Sequence, residues 1–170
     1  MQYGGILEWL RKEYSGIRSG QASPAILDAV KVEVYGSPMA INQLATITIS
    51  DPRSLRIMPW DKNVINSIDS AVRQSNLGVS VATDSEGLRI SFPQLTAENR
   101  QTLLKLAKQR LEEARIKVRN ERQKILDDID KKGAGEDEQK RLKNELQKSV
   151  EEANKKLEEF YQKKESELLE

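Results

Sequence analysis

The chain has 170 residues, 37% hydrophobic, 32% charged and 5% aromatic, with a formal net charge of +1; this balance suits long amphipathic helices with much solvated surface, in one domain or two small ones. It has no cysteine and no histidine, which excludes a disulfide framework, a thiolate metal site, the usual general base and the commonest transition-metal ligand. No apolar run approaches the ~18 residues of a membrane span, and no signal-peptide pattern opens the chain, so a soluble cytoplasmic protein is expected.

Ile6, Leu7, Leu10, Tyr14 and Ile17 lie on one face of a first helix that is expected to end near Ser19. Gly20-Gln21-Ala22-Ser23-Pro24 stops it with a glycine and a proline. Ser23 is a candidate cap and Pro24 the first residue of a short helical turn. From Val30 to Phe92 the apolar period changes to two. Val30, Val32 and Val34 form a strand, Tyr35-Gly36-Ser37-Pro38 a turn, Leu44–Ile49 a second strand, and Leu55, Ile57 and Pro59 a third. Asp61 can cap a helix carrying Val64, Ile65, Ile68, Ala71 and Val72, ended by Asn76 and Gly78. Val79–Ala82 and Leu88–Phe92 read as a final strand pair around a turn at Asp84–Gly87. Six basic and seven acidic residues between Gly20 and Gln94 leave this small β/α/β domain without a basic patch. Trp9 and Trp60 read as packing residues.

Pro93-Gln94-Leu95 leads into Thr96–Lys132, one unbroken helix of about 35 residues, roughly 52 Å long. Thr96 is its N-cap, Glu98 suits the positive end of the helix dipole, and Gly133 supplies the left-handed stop. Leu104, Ala107, Leu111, Ala114, Val118 and Ile125 make an apolar seam at heptad spacing. Beside the seam, Lys108, Arg115, Arg119 and Arg122 fall within about one sixth of the helix circumference. From Arg100 to Lys124 nine basic residues stand against three acids, and from Ile125 onward ten basic residues stand against fourteen acids. Positive charge is therefore concentrated on this helix, as phosphate binding requires, although a solvated helix face gives the same pattern. After Gly133-Ala134-Gly135 a last helix begins at Glu136–Glu138, with Leu142, Leu146, Val150, Ala153, Leu157, Phe160 and Leu168 as its seam. The short loop makes the two long helices antiparallel.

The expected fold class is therefore α+β: an antiparallel three-helix bundle (1–19 and 96–170) with an inserted β/α/β domain (20–95) on hinges at 20–24 and 92–95. No phosphate-binding glycine loop is present. The carboxylates sit mostly on exposed helix faces, and Asp127, Asp128 and Asp130 lack calcium-loop geometry. No catalytic residue, metal or cofactor is expected, and the protein is not expected to be an enzyme.

Specific motifs go further. Ile17-Arg18-Ser19-Gly20-Gln21-Ala22-Ser23-Pro24, Tyr35-Gly36-Ser37-Pro38, Gln43-Leu44-Ala45, Ser75-Asn76-Leu77-Gly78, Pro93-Gln94-Leu95-Thr96 and Val118-Arg119-Asn120-Glu121-Arg122 occur in this order. Together they resemble the bacterial ribosome recycling factor family over essentially the whole chain. The resemblance implies an L-shaped molecule similar in outline to a transfer RNA, which binds the post-termination ribosome. With elongation factor G and GTP, it would split the ribosome into subunits. It implies a monomer whose Lys108, Arg115, Arg119 and Arg122 meet large-subunit rRNA phosphates, with Arg100 and Arg18, the first-hinge arginine, as further rRNA-binding candidates. Gly20, Gln21, Pro24, Pro93 and Gln94 would form the hinge, and the β-rich arm would face the elongation factor.

Departures from the family are expected to matter. Gln21 and Gln123 stand where the family usually has arginine, and the chain begins later than the family does. Val118, Ile125, Leu142 and Leu146 would then lack a third helix at the bundle tip. Either the true start lies upstream of Met1, which is the favoured expectation, or the tip frays or finds another partner. An alternative function, suggested by the seam and acidic face of 136–170, is a non-enzymatic helical scaffold that pairs with another coiled coil.

Overall fold

The computed structural model describes residues 3–170. The chain divides into two compact units, one made of the N-terminal segment to Tyr14 with Gln101–Leu169, the other of Ser15–Arg100. The second is wider at both ends than the 20–95 read from sequence.

The helical unit contains α1 (Gly4–Ser15), most of α3 (Ala97–Lys131) and α4 (Glu136–Leu169). α1 ends four residues before the expected Ser19, because Gly16 follows and leaves the helical path; Ile17 stays buried outside the helix. Thr96 caps α3 as expected, its Oγ1 accepting from the Asn99 N–H at 3.0 Å. Gly133 takes φ +63° and stops the chain before α4.

Ion pairs fix the direction of the helices. Arg115 meets Glu158 at 2.7 Å and Asp130 meets Lys143 at 3.2 Å, so α3 and α4 step in opposite directions. α1 lies antiparallel to α3: Glu13 pairs with Arg110 at 3.2 Å, and the Lys117 ammonium sits 3.6 Å above the Trp9 ring. Between them Ala107, Leu111, Ala114, Val118, Leu146, Val150, Ala153, Leu157, Tyr161 and Leu168 are buried with Tyr3, Leu7, Leu10 and Tyr14. The expected Phe160 is only half-buried, and its neighbour Tyr161 takes the seam position. Lys164 continues that seam, so the apolar period is interrupted just where it would have chosen between the two aromatics. The Lys164 stem is buried and its ammonium reaches Glu167 at 3.4 Å, which is how a long basic side chain occupies an apolar row.

The tip of the bundle is better packed than expected. Val118 is 1% exposed and Leu146 5% exposed; Tyr3, just before α1, is buried too, and the charges of Glu121 and Arg122 act on it. Ile125 and Leu142 are half-buried. With Ile129 and Leu146 they line a groove of about 430 Å³.

Tyr14 anchors α1. Its hydroxyl donates to the Ala107 carbonyl at 2.8 Å while the ring is 5% exposed. Tyr14→Phe is expected to lower stability by about 1 kcal/mol in urea unfolding. Burial, foremost, raises the Tyr14 phenol well above its usual 10.0, and burial with the Glu165 hydrogen bond pushes Tyr161 up to about 12. Both folded-state values lie above the unfolded ones. Their stabilisation is therefore complete below pH 10 and lost as pH rises through 12 and beyond. The helical circular dichroism signal of Tyr14→Phe should lose less in this range than that of the parent.

The β-rich unit has two sheets. β1 (Lys31–Val34) and β2 (Ser37–Ala40) form a hairpin; β3 (Ala45–Asp51), β4 (Ser54–Pro59), β6 (Leu88–Ser91) and β5 (Ser80–Thr83) form an antiparallel sheet in that order. α2 (Ile65–Gln74) buries Ile65, Ile68 and Val72 in the same core as Val32, Val34, Leu55, Ile57, Leu88 and Ile90. The stretch read as a turn contains β2. Tyr35 (φ 53°) and Gly36 (φ 79°) make the two-residue reversal, and Pro38 pairs with Glu33 inside the strand. Pro38 is tolerated there because its position points its missing N–H away from β1.

Asp61 caps a short turn, Lys62–Val64, ahead of α2, its side chain accepting from the Asn63 N–H at 2.9 Å. Pro24–Leu27 is a 3₁₀ turn, but the Ser23 hydroxyl makes no capping bond there. Trp60 is not a packing residue: it is 68% exposed.

Candidate nucleic-acid interface

The charged stripe is positioned by the seam beside it. Ala107, Leu111, Ala114 and Val118 are buried, so the helix cannot rotate, and Lys108, Arg115, Arg119 and Arg122 share the flank of that seam. Lys105, three residues before Lys108, extends the same flank. Sequence reasoning counted it but left it out of the stripe.

These cations differ in how firmly they are held. Arg115 pairs with Glu158 at 2.7 Å and lies 3.8 Å from Glu112, which cross-links α3 to α4. Arg119 is 68% exposed and reaches Glu112 at 3.4 Å. Lys105, Lys108 and Arg122 have no carboxylate partner among the described residues. Arg110 and Lys117, also basic, are tied down on α1 by Glu13 and Trp9. Such exposed pairs contribute about 0–1 kcal/mol, so a phosphate can replace Glu112 on Arg119. The flank can therefore present up to five cations along one helix, a concentration of positive charge suited to a polyanion.

Arg18 and Arg100 belong to the β-rich unit. Arg18 is half-buried, and its two terminal nitrogens donate to the Pro93 carbonyl at 2.9 Å and the Ser19 carbonyl at 3.3 Å. Its Nε lies 3.4 Å from where a Cβ on Gly78 would be, so Gly78 (φ +72°) leaves room for the guanidinium. Burial lowers the Arg18 pKa. Arg18 is thus a clasp between two chain segments. The Nε of Arg100 is buried with no hydrogen-bond partner among the described residues.

Gly20, Gln21, Pro24, Pro93 and Gln94 also lie in the β-rich unit, on two adjacent segments. Both segments are fastened to the β3–β4 turn: Ala22 N–H donates to Pro52 O at 2.8 Å and Phe92 N–H to Arg53 O at 2.7 Å. Gly20 has an ordinary backbone conformation and open space where a side chain would begin. Gln123 donates to Asp127 on its own helix at 3.0 Å. Among the described residues no group of three or more carboxylates is placed to hold a metal, and no helix is long and apolar enough to cross a membrane.

Comparison with known proteins agrees over nearly the full length. The model of the ribosome recycling factor family matches residues 10–169. The ribosome-recycling factor of Carboxydothermus hydrogenoformans is 42% identical over 167 residues, covering 96% of this chain and 90% of the relative. That of Thermotoga maritima is 44% identical over 168 residues, covering 96% and 91%. A solution structure of a ribosome recycling factor superposes with TM-score 0.81 at 32% identity, covering 99% of this chain and 91% of the other. A second structure comprises models for the T. thermophilus ribosome recycling factor and the E. coli elongation factor G bound to the E. coli post-termination complex. Its matching chain superposes with TM-score 0.68 at 38% identity, covering 99% and 94%. With its motif order, its α+β architecture and these matches, the chain belongs to the ribosome recycling factor family.

Proposed function

We propose that this protein binds the post-termination ribosome and, together with elongation factor G and GTP, splits it into subunits, catalysing no reaction of its own. The observation that carries this reading is the flank of α3, where Lys105, Lys108 and Arg122 lack carboxylate partners among the described residues and Arg119 is held only by an exposed pair. Large-subunit rRNA is the phosphate-rich partner that suits such a flank. Lys108, Arg119 and Arg122 contact phosphate, and Arg115 contributes from its Glu158 pair. Arg18 acts as a positioning residue through Pro93, and Arg100 is a secondary contact. The protein works as a monomer in the cytoplasm.

The two segments 20–24 and 92–95 serve as the joint of the β-rich unit. Gly20→Ala tests this with little structural side effect, because nothing crowds the site. The melting temperature should stay level or rise slightly, since the change removes unfolded-state entropy worth about 0.4–1 kcal/mol. Ribosome binding should be unchanged and subunit splitting slowed. Unchanged splitting would remove Gly20 from the joint.

Co-sedimentation with post-termination ribosomes across a salt series tests the interface as a whole. A linear fall of log affinity with log salt is expected. Salt-independent binding would contradict it.

A further inference from the structure

We propose that the groove between β1 and α2 accepts an extended segment of another protein, about four residues long, as a third strand on the β1 edge. The proposal starts from the hairpin register. Val34 pairs with Ser37 across the two-residue turn, so Val34 and Val32 exchange hydrogen bonds with β2, whereas Lys31 and Glu33 stand in the alternate pairs. Two observations agree with this alternation. Pro38, which has no N–H, lies opposite Glu33, and the Ala40 N–H, opposite Lys31, donates to Gln43 Oε1 at 3.0 Å instead. The main-chain N–H and C=O groups of Lys31 and Glu33 therefore point to the other edge of β1, where no strand pairs among the described residues.

That edge opens into a groove of about 550 Å³. Lys31 and Glu33 line one wall; Asn66, Ser67, Ser70 and Gln74 of α2 line the other. The α2 wall is made of short and polar side chains, which leave space beside the strand. A strand–helix groove with a free edge is the arrangement through which extended peptides add to a sheet, main-chain bonds giving affinity and alternate side chains giving specificity.

The charges state what the occupant looks like. Lys31 and Glu33 are exposed, two residues apart and on the same face. An antiparallel strand complements them when it carries an acid opposite Lys31 and a base opposite Glu33, that is, Lys-x-Glu read in chain direction. β1 itself, Lys31-Val32-Glu33-Val34, has this pattern, so a second copy is the obvious rival. It is disfavoured because each β1 is flanked by β2 and α2. A flexible segment of a partner protein enters the groove without that obstruction.

The test uses the full chain, labelled with nitrogen-15, and the peptide acetyl-Thr-Lys-Val-Glu-Val-Thr-amide, with acetyl-Thr-Glu-Val-Lys-Val-Thr-amide as the charge-reversed control. Saturable shifts at Lys31, Glu33, Ser67 and Ser70, with slowed hydrogen exchange at the Lys31 and Glu33 amides, are expected for the first peptide. The control should bind about fivefold more weakly, from two opposed charge pairs. The double variant Lys31→Glu/Glu33→Lys should invert the preference. No saturable shifts at millimolar peptide, or binding without protection of those two amides, would overturn the proposal. So would equal affinity for the two peptides. A dimer in sedimentation that Glu33→Lys abolishes would overturn it in favour of a second copy.

Discussion

Replacing Lys108, Arg119 and Arg122 together by alanine is expected to weaken ribosome binding about 100- to 500-fold at 0.1 M salt. The estimate follows from counterion release: each lost phosphate contact removes about 0.7–0.9 from the salt slope and a similar number of decades of affinity at that concentration. The salt slope should fall by about 2–3, which separates lost phosphate contacts from a misfolded protein. Folding should be intact, because Lys108 and Arg119 are exposed, Arg122 is half-exposed, and alanine is the best helix former. Arg115 is left out because its Glu158 pair joins two helices, so its removal would mix stability with binding. The helical scaffold reading predicts instead an unchanged slope and a self-associating protein in light scattering.

Gly87→Ala is expected to be the most damaging small substitution in the β-rich unit. Gly87 is buried just before β6, where the Asp84 carboxylate accepts from the Glu86 and Gly87 N–H groups at 2.8 and 2.9 Å. A Cβ there would stand 2.2 Å from the Ile57 carbonyl oxygen and 3.2 Å from its carbon, both main-chain atoms of the neighbouring strand. A strand cannot give way as a side-chain tip can. Either the β4–β6 pairing or the Asp84 turn must open. A loss of about 3 kcal/mol is expected, which lowers the melting midpoint of a unit this size by about 12–24 °C. Differential scanning calorimetry of the two variants makes the comparison direct: Gly20→Ala should melt as the parent does, and Gly87→Ala far below it. A Gly87→Ala midpoint within about 3 °C of the parent, less than 1 kcal/mol, would show that the strands tolerate the side chain.

The two long helices were legible in the sequence because their signals are redundant: caps, heptad seam and a glycine stop agree over many turns. The flank of α3 was legible for the same reason, since a rigid helix converts spacing directly into position. Three features were not. β2 was hidden because proline and glycine mark turns, and only the pairing register tells that Pro38 needs no N–H where it stands. The Tyr161 position was hidden because Lys164, read as a surface charge, breaks the apolar period that would have set the phase. The clasp role of Arg18 could not be seen at all, since it depends on Pro93, far away in sequence, and on the space left by Gly78. Lys117 is a similar case: counted among the cations, it stacks on Trp9 of α1.

The central claim is subunit splitting, and light scattering of post-termination ribosomes measures it directly. Ribosomes mixed with this protein, elongation factor G and GTP should lose scattering intensity at a rate that depends on all three. Omitting any one, or replacing the protein by the Lys108→Ala/Arg119→Ala/Arg122→Ala variant, should leave the signal flat on the same timescale. Intact ribosomes in the complete mixture, with the protein bound, would contradict the account.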